Sequence, residues 1–240
     1  MAIATEDLRQ RVAAVEWYHT LELAPGVVSE GMFDLRPVVD RYQLPERLDG
    51  MRVLDVGTWD GFWAFEMERR GATEVVSLDL DDERDLDWPP ARRPKTFPDK
   101  LRGDGFRLAS EVFGSEVKRE VVSIYDALPE QLGTFDLVFC GSVLIHLRDA
   151  LLAMERIANL CRGTFVSVEP YSRLAGLSPI PVAFFRADRP KAVVFWEPSA
   201  RTWRRMLLMS GFRSVERRGR FRLRAEGGWH VPHVVHHAHR

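Results

Sequence analysis

Short apolar runs that stop at glycine or acid alternate with amphipathic stretches over most of the chain. Arg52-Val53-Leu54-Asp55-Val56-Gly57 has the make-up of a buried parallel strand. Gly61–Arg70 follows as an amphipathic helix closed by Gly71, and Glu74–Asp79 is the next run, completing a strand–helix–strand unit. Lys118–Ile124, Phe135–Cys140 and Thr164–Glu169 predict three further strands, with helices over Phe106–Gly114 and Ala150–Cys161. Ser199 suits the N-cap of a helix reaching Ser210, and Val215–Leu223 with Val231–His237 reads as an antiparallel closing hairpin. The pattern predicts an α/β fold: a seven-stranded, mostly parallel sheet with helices on both faces.

Two proline-rich segments break this rhythm. Residues 82–104 and 171–198 carry prolines too often for regular structure and predict surface insertions. Residues 4–20 predict a short helix ending in Trp17-Tyr18-His19, and Phe33–Tyr42 predicts a second. The expected organisation is a helical lid over residues 1–45 and a main domain over 46–240, with 171–198 as a second lid segment.

The apolar content of 45% and charged content of 29% suit a globular chain, and the length of 240 residues needs no disulfide or metal to hold a core. Two cysteines, Cys140 and Cys161, form no disulfide framework or zinc spacing. A net charge of −1 argues against a surface made mainly to hold nucleic acid, although Arg201, Arg204, Arg205, Arg213, Arg217, Arg218, Arg220 and Arg222 form a locally basic stretch. No run of about 18 apolar residues is present to span a bilayer, and the polar opening lacks an apolar signal region, so the cytoplasm is the expected location. Histidines 230, 233, 236, 237 and 239 have no carboxylate or cysteine beside them, so the expectation is a histidine-rich surface tail and no metal.

The sharpest signal is Leu54-Asp55-Val56-Gly57-Thr58-Trp59-Asp60-Gly61-Phe62, where a strand turns into a helix. Ligands of open α/β sheets bind at such carboxyl ends. Trp59 stands where a dinucleotide fingerprint has the glycine that lets pyrophosphate approach, which argues against NAD or FAD and suits a ligand without phosphate. Asp79, closing the second strand, can accept hydrogen bonds from both hydroxyls of a ribose. Asp55 can orient the loop or reach the ammonium group of an amino-acid tail. No Walker lysine pattern supports nucleoside triphosphate chemistry.

Leu54–Phe62, Ser77–Leu80 and the Phe135–His146 stretch together resemble class I S-adenosylmethionine-dependent methyltransferases, a Rossmann-like family. More narrowly, Trp17-Tyr18-His19, Val143–His146 and Trp196–Phe212 resemble the branch with the tRNA wobble-uridine 5-methoxyuridine and 5-carboxymethoxyuridine methyltransferase-like proteins. The resemblance implies S-adenosyl-L-methionine as cofactor. Asp55, Gly57, Thr58, Trp59 and Gly61 would surround its methionine part, Asp79 its ribose, Leu80, Ile124 and Tyr125 its adenine, and Cys140 and Gly141 its sulfonium. The carboxymethylating members hold an extra carboxylate, and here His19 stands in place of a lysine and Ile145 in place of a tyrosine, which favours the ordinary cofactor.

A base is needed only if the acceptor must lose a proton. His146 is the first choice, with His19 and Glu169 next, against the simpler reading of His146 as a buttress. Trp17, Tyr18, Tyr171 and Trp196 would line an apolar acceptor pocket. The expected partner is a small-molecule acceptor. RNA is the weaker alternative, and a cofactor-binding protein without turnover the third reading. The sequence leaves oligomeric state open.

Overall fold

Val53 and Leu54 point to opposite faces of one strand, and the fold is built on that division. The computed structural model describes residues 5–186, 194–225 and 227–240. Helix α1 (Thr5–Ala13) leads to a small ladder of β1 (Glu22–Ala24) and β2 (Val27–Val28), then to a 3-10 helix over Arg36–Tyr42. The alternating part follows as β3 (Arg52–Val56), α2 (Phe62–Arg69), β4 (Glu74–Asp79), α3 (Asp104–Phe113) and β5 (Lys118–Val121). It continues through α4 (Pro129–Leu132), β6 (Phe135–Gly141), α5 (Ala150–Leu160) and β7 (Cys161–Pro170). A two-stranded ladder of β8 (Ala183–Phe185) and β9 (Trp196–Pro198) precedes α6 (Ala200–Met209), β10 (Ser214–Arg224) and β11 (His230–His239).

The central sheet has seven strands in the order β10-β11-β7-β6-β3-β4-β5. Its first five strands in the chain, β3 to β7, run parallel, and β11 pairs antiparallel with both β7 and β10. Val53, Phe139 and Val235 face a core shared with α1, α2 and α3. Leu54, Val138 and Val234 face the other, where Met154 of α5 and Trp203 of α6 are fully buried. Ser199 caps α6 by accepting the Thr202 N–H, as its sequence position suggests. Among the described residues, no helix is long and apolar enough to cross a membrane.

Several local expectations need correction. Strand β5 stops at Val121, so Ile124 and Tyr125 stand on the turn beyond it. Among the described residues of the N-terminal segment, α1 is the one α-helix; Gly26 at φ 73° turns β1 into β2, and Gln43 at φ 57° ends a 3-10 rather than an α-helix. The 171–198 insertion contains the β8–β9 ladder, while its residues 187–193, Pro190 included, lie outside the described residues. The histidine-rich end is no surface tail. It forms β11, inside the sheet, and the side chains of His233 and His236 are buried, each 1% exposed. Polar letters on a strand with sheet partners on both edges are read wrongly when the partners are unknown.

Candidate active site

The loop after β3 owes its course to three residues with positive φ: Gly57 at 78°, Trp59 at 50° and Gly61 at 91°. At Gly57 a Cβ would stand 2.3 Å from Val143 Cγ2, so that position has room for nothing larger. At Gly61 it would meet the rings of Phe65 and Phe106, which makes this glycine a packing device behind the loop. Trp59 keeps the backbone that a glycine would have. Its indole stacks on Tyr18 at 4.3 Å and lies under the Arg102 guanidinium at 3.6 Å, which fixes its orientation at the cavity wall.

Asp79 binds this loop to β4. Its Oδ2 accepts the Trp59 N–H at 2.7 Å and its Oδ1 the Leu80 N–H at 2.7 Å, with Arg102 3.7 Å away. A carboxylate has about four lone-pair sites, so two remain for a ligand. Asp55 is buried, and its Oδ2 has no hydrogen-bond partner among the described residues. Burial pushes the Asp55 carboxyl up to about 7.

These groups open onto a cavity of about 970 Å³, near the top of the roughly 300–1,000 Å³ range of small-molecule sites. One end is lined by Asp55, Gly57, Trp59, Asp79, Leu80, Ile124 and Tyr125, with Leu86 and Trp88 of the first insertion. Asp87 fastens that insertion, accepting from the Tyr125 hydroxyl at 2.8 Å and the Arg148 N–H at 2.6 Å. The other end is lined by Phe33, Tyr42, Trp63, Phe139, Leu223 and Trp229, beside Gly141, Ser142 and His233.

Of the residues expected at the site, Tyr18, His19, His146, Tyr171 and Trp196 also line the cavity. Trp17, Thr58, Gly61, Cys140 and Glu169 do not. Trp17 turns the other way, packs on Gly105 of α3 and donates its indole N–H to the Val12 carbonyl at 2.9 Å. Cys140 is fully buried in the core under the sheet end, where burial pushes its thiol up. Glu169 sits behind the wall: its Oε1 accepts the Val143 and Leu144 N–H groups at 3.3 Å each and the Cys140 thiol at 3.7 Å. Burial pushes the Glu169 carboxyl up to about 8. It shapes the loop after β6 and does not meet the ligand space.

His19 is tied down by Asp60, which accepts its imidazole Nδ1–H on one oxygen and the Tyr18 and His19 N–H groups on the other at 2.8 and 2.7 Å. Arg102, Ser142 and His233 line the cavity and Asp60 anchors His19 behind it, positions that the sequence did not assign. Asp60 stands inside the glycine-bearing loop motif, the one signal that could have found it. Among the described residues, no group of three or more His, Cys, Asp or Glu is placed to hold a metal ion.

A match to the methyltransferase domain family runs over residues 33–217. The chain belongs to the methyltransferase domain family. Ubiquinone biosynthesis O-methyltransferase of Xanthomonas campestris pv. campestris (strain B100) is 32% identical over 139 residues, 57% of this chain and 47% of that protein. The counterpart in Xanthomonas euvesicatoria pv. vesicatoria (strain 85-10) is 32% identical over 115 residues, 48% of this chain and 40% of that protein. The chain thus spans about half the length of the curated relatives it matches. In fold, this methyltransferase domain is similar to the N-terminal domain of EvdMO1 solved with S-adenosylhomocysteine, at TM-score 0.69 and 18% identity over 99% of this chain and 97% of that one. It is also similar to the Burkholderia thailandensis 1,6-didemethyltoxoflavin-N1-methyltransferase, at TM-score 0.52 and 16% identity over 80% of this chain and 72% of that one.

The cavity's donor set fits an adenosyl sulfonium amino acid. Free lone pairs on Asp79 suit ribose hydroxyls, and the unpartnered Asp55 Oδ2 suits an ammonium group, whose charge would draw the carboxyl back to its ionised form. Among the described residues, no lysine lines the cavity.

Proposed function

We propose that this chain transfers the methyl group of S-adenosylmethionine to a hydroxyl on an apolar, ring-bearing small molecule. One observation carries the reading: a single cavity runs from Asp79 and Ile124 to a wall of Tyr42, Trp63, Phe139, Leu223 and Trp229. The first end suits a nucleoside; the second is aromatic and apolar, which suits a ring. The likeness to O-methyltransferases of ubiquinone biosynthesis supports the same acceptor class.

When bound, the cofactor supplies an electrophilic methyl whose bond electrons return to sulfur. The chain's part is placement, because an in-line displacement gains most from fixing the partners. Asp79 would hold the ribose, Asp55 the ammonium group, and Ile124, Leu80 and the Tyr125 ring the adenine. Tyr18, Tyr171 and Trp196 would close over the acceptor, with His146 on the same wall. We place the protein in the cytoplasm.

The test is incubation of the full chain with methyl-labelled S-adenosylmethionine and a panel of phenols, catechols and hexoses. Hexoses belong there because the EvdMO1 domain was also crystallised in the presence of D-fucose. Label moving to phenolic or catechol hydroxyls is the expected result; transfer to none of the panel would overturn the reading.

A second reading, transfer to RNA of the wobble-uridine kind, rests on the arginines. Arg204, Arg217 and Arg220 gather around His236, and the Arg220 guanidinium lies 5.2 Å over the Tyr171 ring at the cavity wall. Others are engaged locally, Arg218 with Glu216 and Arg201 with the Pro179 carbonyl. Binding of tRNA that weakens steeply with salt would favour it.

A further inference from the structure

We propose that Ser142 and His233 form the proton exit of the acceptor site: Ser142 Oγ takes the hydrogen bond of the acceptor O–H, and His233 Nε2 takes the proton. The proposal rests on the hydroxyl reading above, and names the group that such an acceptor meets.

The two residues are 91 apart in sequence, with Ser142 Oγ 2.9 Å from His233 Nε2. Ser142 leaves the end of β6, where its N–H binds the Val168 carbonyl at 2.9 Å. His233 lies on β11 opposite Pro170, at the end of β7. Both line the cavity.

Hydrogen-bond polarity runs one way along this line. His233 Nδ1 is 3.0 Å from the Val231 carbonyl, and a carbonyl only accepts, so Nδ1 carries the hydrogen. The ring is stacked on Phe221 at 5.3 Å and 15°, which fixes its plane. Burial holds the imidazole pKa down at about 4, so the ring is neutral and Nε2 bears a lone pair. Ser142 therefore donates to Nε2 and has only lone pairs left for the cavity. A ligand group meeting it must be a donor, a hydroxyl or N–H, and a carbonyl or ether is refused.

The backbone strengthens the case. Ser142 holds φ at 59°, a conformation glycine or asparagine adopts more readily. A serine kept there has its hydroxyl as the distinguishing property. In the transfer, the acceptor oxygen bonds to carbon as the carbon–sulfur pair returns to sulfur. The acceptor proton moves to Ser142 Oγ while the seryl proton moves to His233 Nε2, and the imidazolium later releases it to water. A weak base suffices, since a protonated ether is a far stronger acid than an imidazolium.

Three measurements on the full chain loaded with S-adenosylhomocysteine test this. Nitrogen-edited spectra of the histidines should show His233 as the Nδ1–H tautomer; an Nε2–H tautomer overturns the proposal whatever the acceptor proves to be. His233→Gln keeps an acceptor atom for the Ser142 hydroxyl but cannot take a proton, so catechol turnover should fall about 100-fold or more in kcat, with little change in KM. Wild-type kcat in that variant overturns it. Ser142→Gly, which suits the backbone, should lower kcat and raise KM for the hydroxyl acceptor while S-adenosylhomocysteine affinity holds; wild-type constants would again overturn it. If the unaltered chain methylates no hydroxyl, the hydroxyl reading fails, and the tautomer still decides the Ser142–His233 arrangement.

Discussion

Asp60 holds His19 twice, through its backbone N–H at 2.7 Å and through its imidazole Nδ1. Asp60 is fully buried and His19 nearly so, at 0% and 7% exposure. One carboxylate thus attaches the N-terminal segment to the loop after β3. Asp60→Ala would leave buried donors without a partner, and should cost about 3 kcal/mol of stability. Urea unfolding would measure it, with early proteolysis ahead of β1 as a second sign. An unchanged midpoint would show that the anchor lies elsewhere.

Asp79 performs two tasks with one carboxylate. Asp79→Ala should weaken S-adenosylhomocysteine binding by about 1.5–3 kcal/mol, the scale of hydrogen bonds to a charged group. The released Trp59 N–H should also disturb the indole stack between Tyr18 and Arg102. Calorimetry gives the first effect and tryptophan fluorescence the second. Equal affinity in the variant would remove the ribose assignment.

Gly57→Ala meets both a positive φ and the Val143 methyl. The expected loss is about 2–4 kcal/mol, from the left-handed backbone and overpacking together. Adding Val143→Ala should recover only the overpacking part. Thermal denaturation of the single and double variants separates the two; full recovery would mean that the backbone strain is negligible.

Four buried titratable groups set the response to pH. The folded chain keeps protons on Asp55 and Glu169 up to about 7 and about 8, and keeps them off His233 and His236 down to about 4 for each. Between about pH 4.5 and 6.5 the unfolded chain has released the two carboxyl protons and gained two on the histidines. These two pairs cancel, but burial also lowers the pKa of the half-buried His237, so the unfolded chain holds slightly more protons and stability should rise gently up to about pH 6.5. Above about 6.5 the folded chain holds more protons than the unfolded one, and stability should fall by about 1–2 kcal/mol by pH 8. Glu169→Gln should remove most of that fall. Urea unfolding at several pH values tests it, and stability rising from pH 6.5 to 8 would contradict the sign.

Much of the Asp55–Asp79 end of the cavity was legible because its parts are consecutive. Leu54–Phe62 carries strand, turn and helix start, and Asp79 ends the neighbouring strand, so spacing conveys geometry. The opposite end, at Ser142 and His233, was not. Ser142 meets His233 only because β11 inserts beside β7, a pairing that local patterning does not encode. The same insertion turned an apparent histidine tail into buried sheet. Trp17 and Tyr18 show a smaller version of the problem: adjacent aromatics leave an irregular segment on different sides, one to α3 and one to the cavity.

The place of β11 also orders assembly. It follows β10 in the chain, yet β10 reaches the sheet only through it. During synthesis the Asp55–Asp79 end of the cavity can therefore form while Leu223, Val231 and His233 still lack their neighbours on β7. The cavity wall formed by Leu223, Val231 and His233 is thus completed only when the β10–β11 hairpin docks on β7.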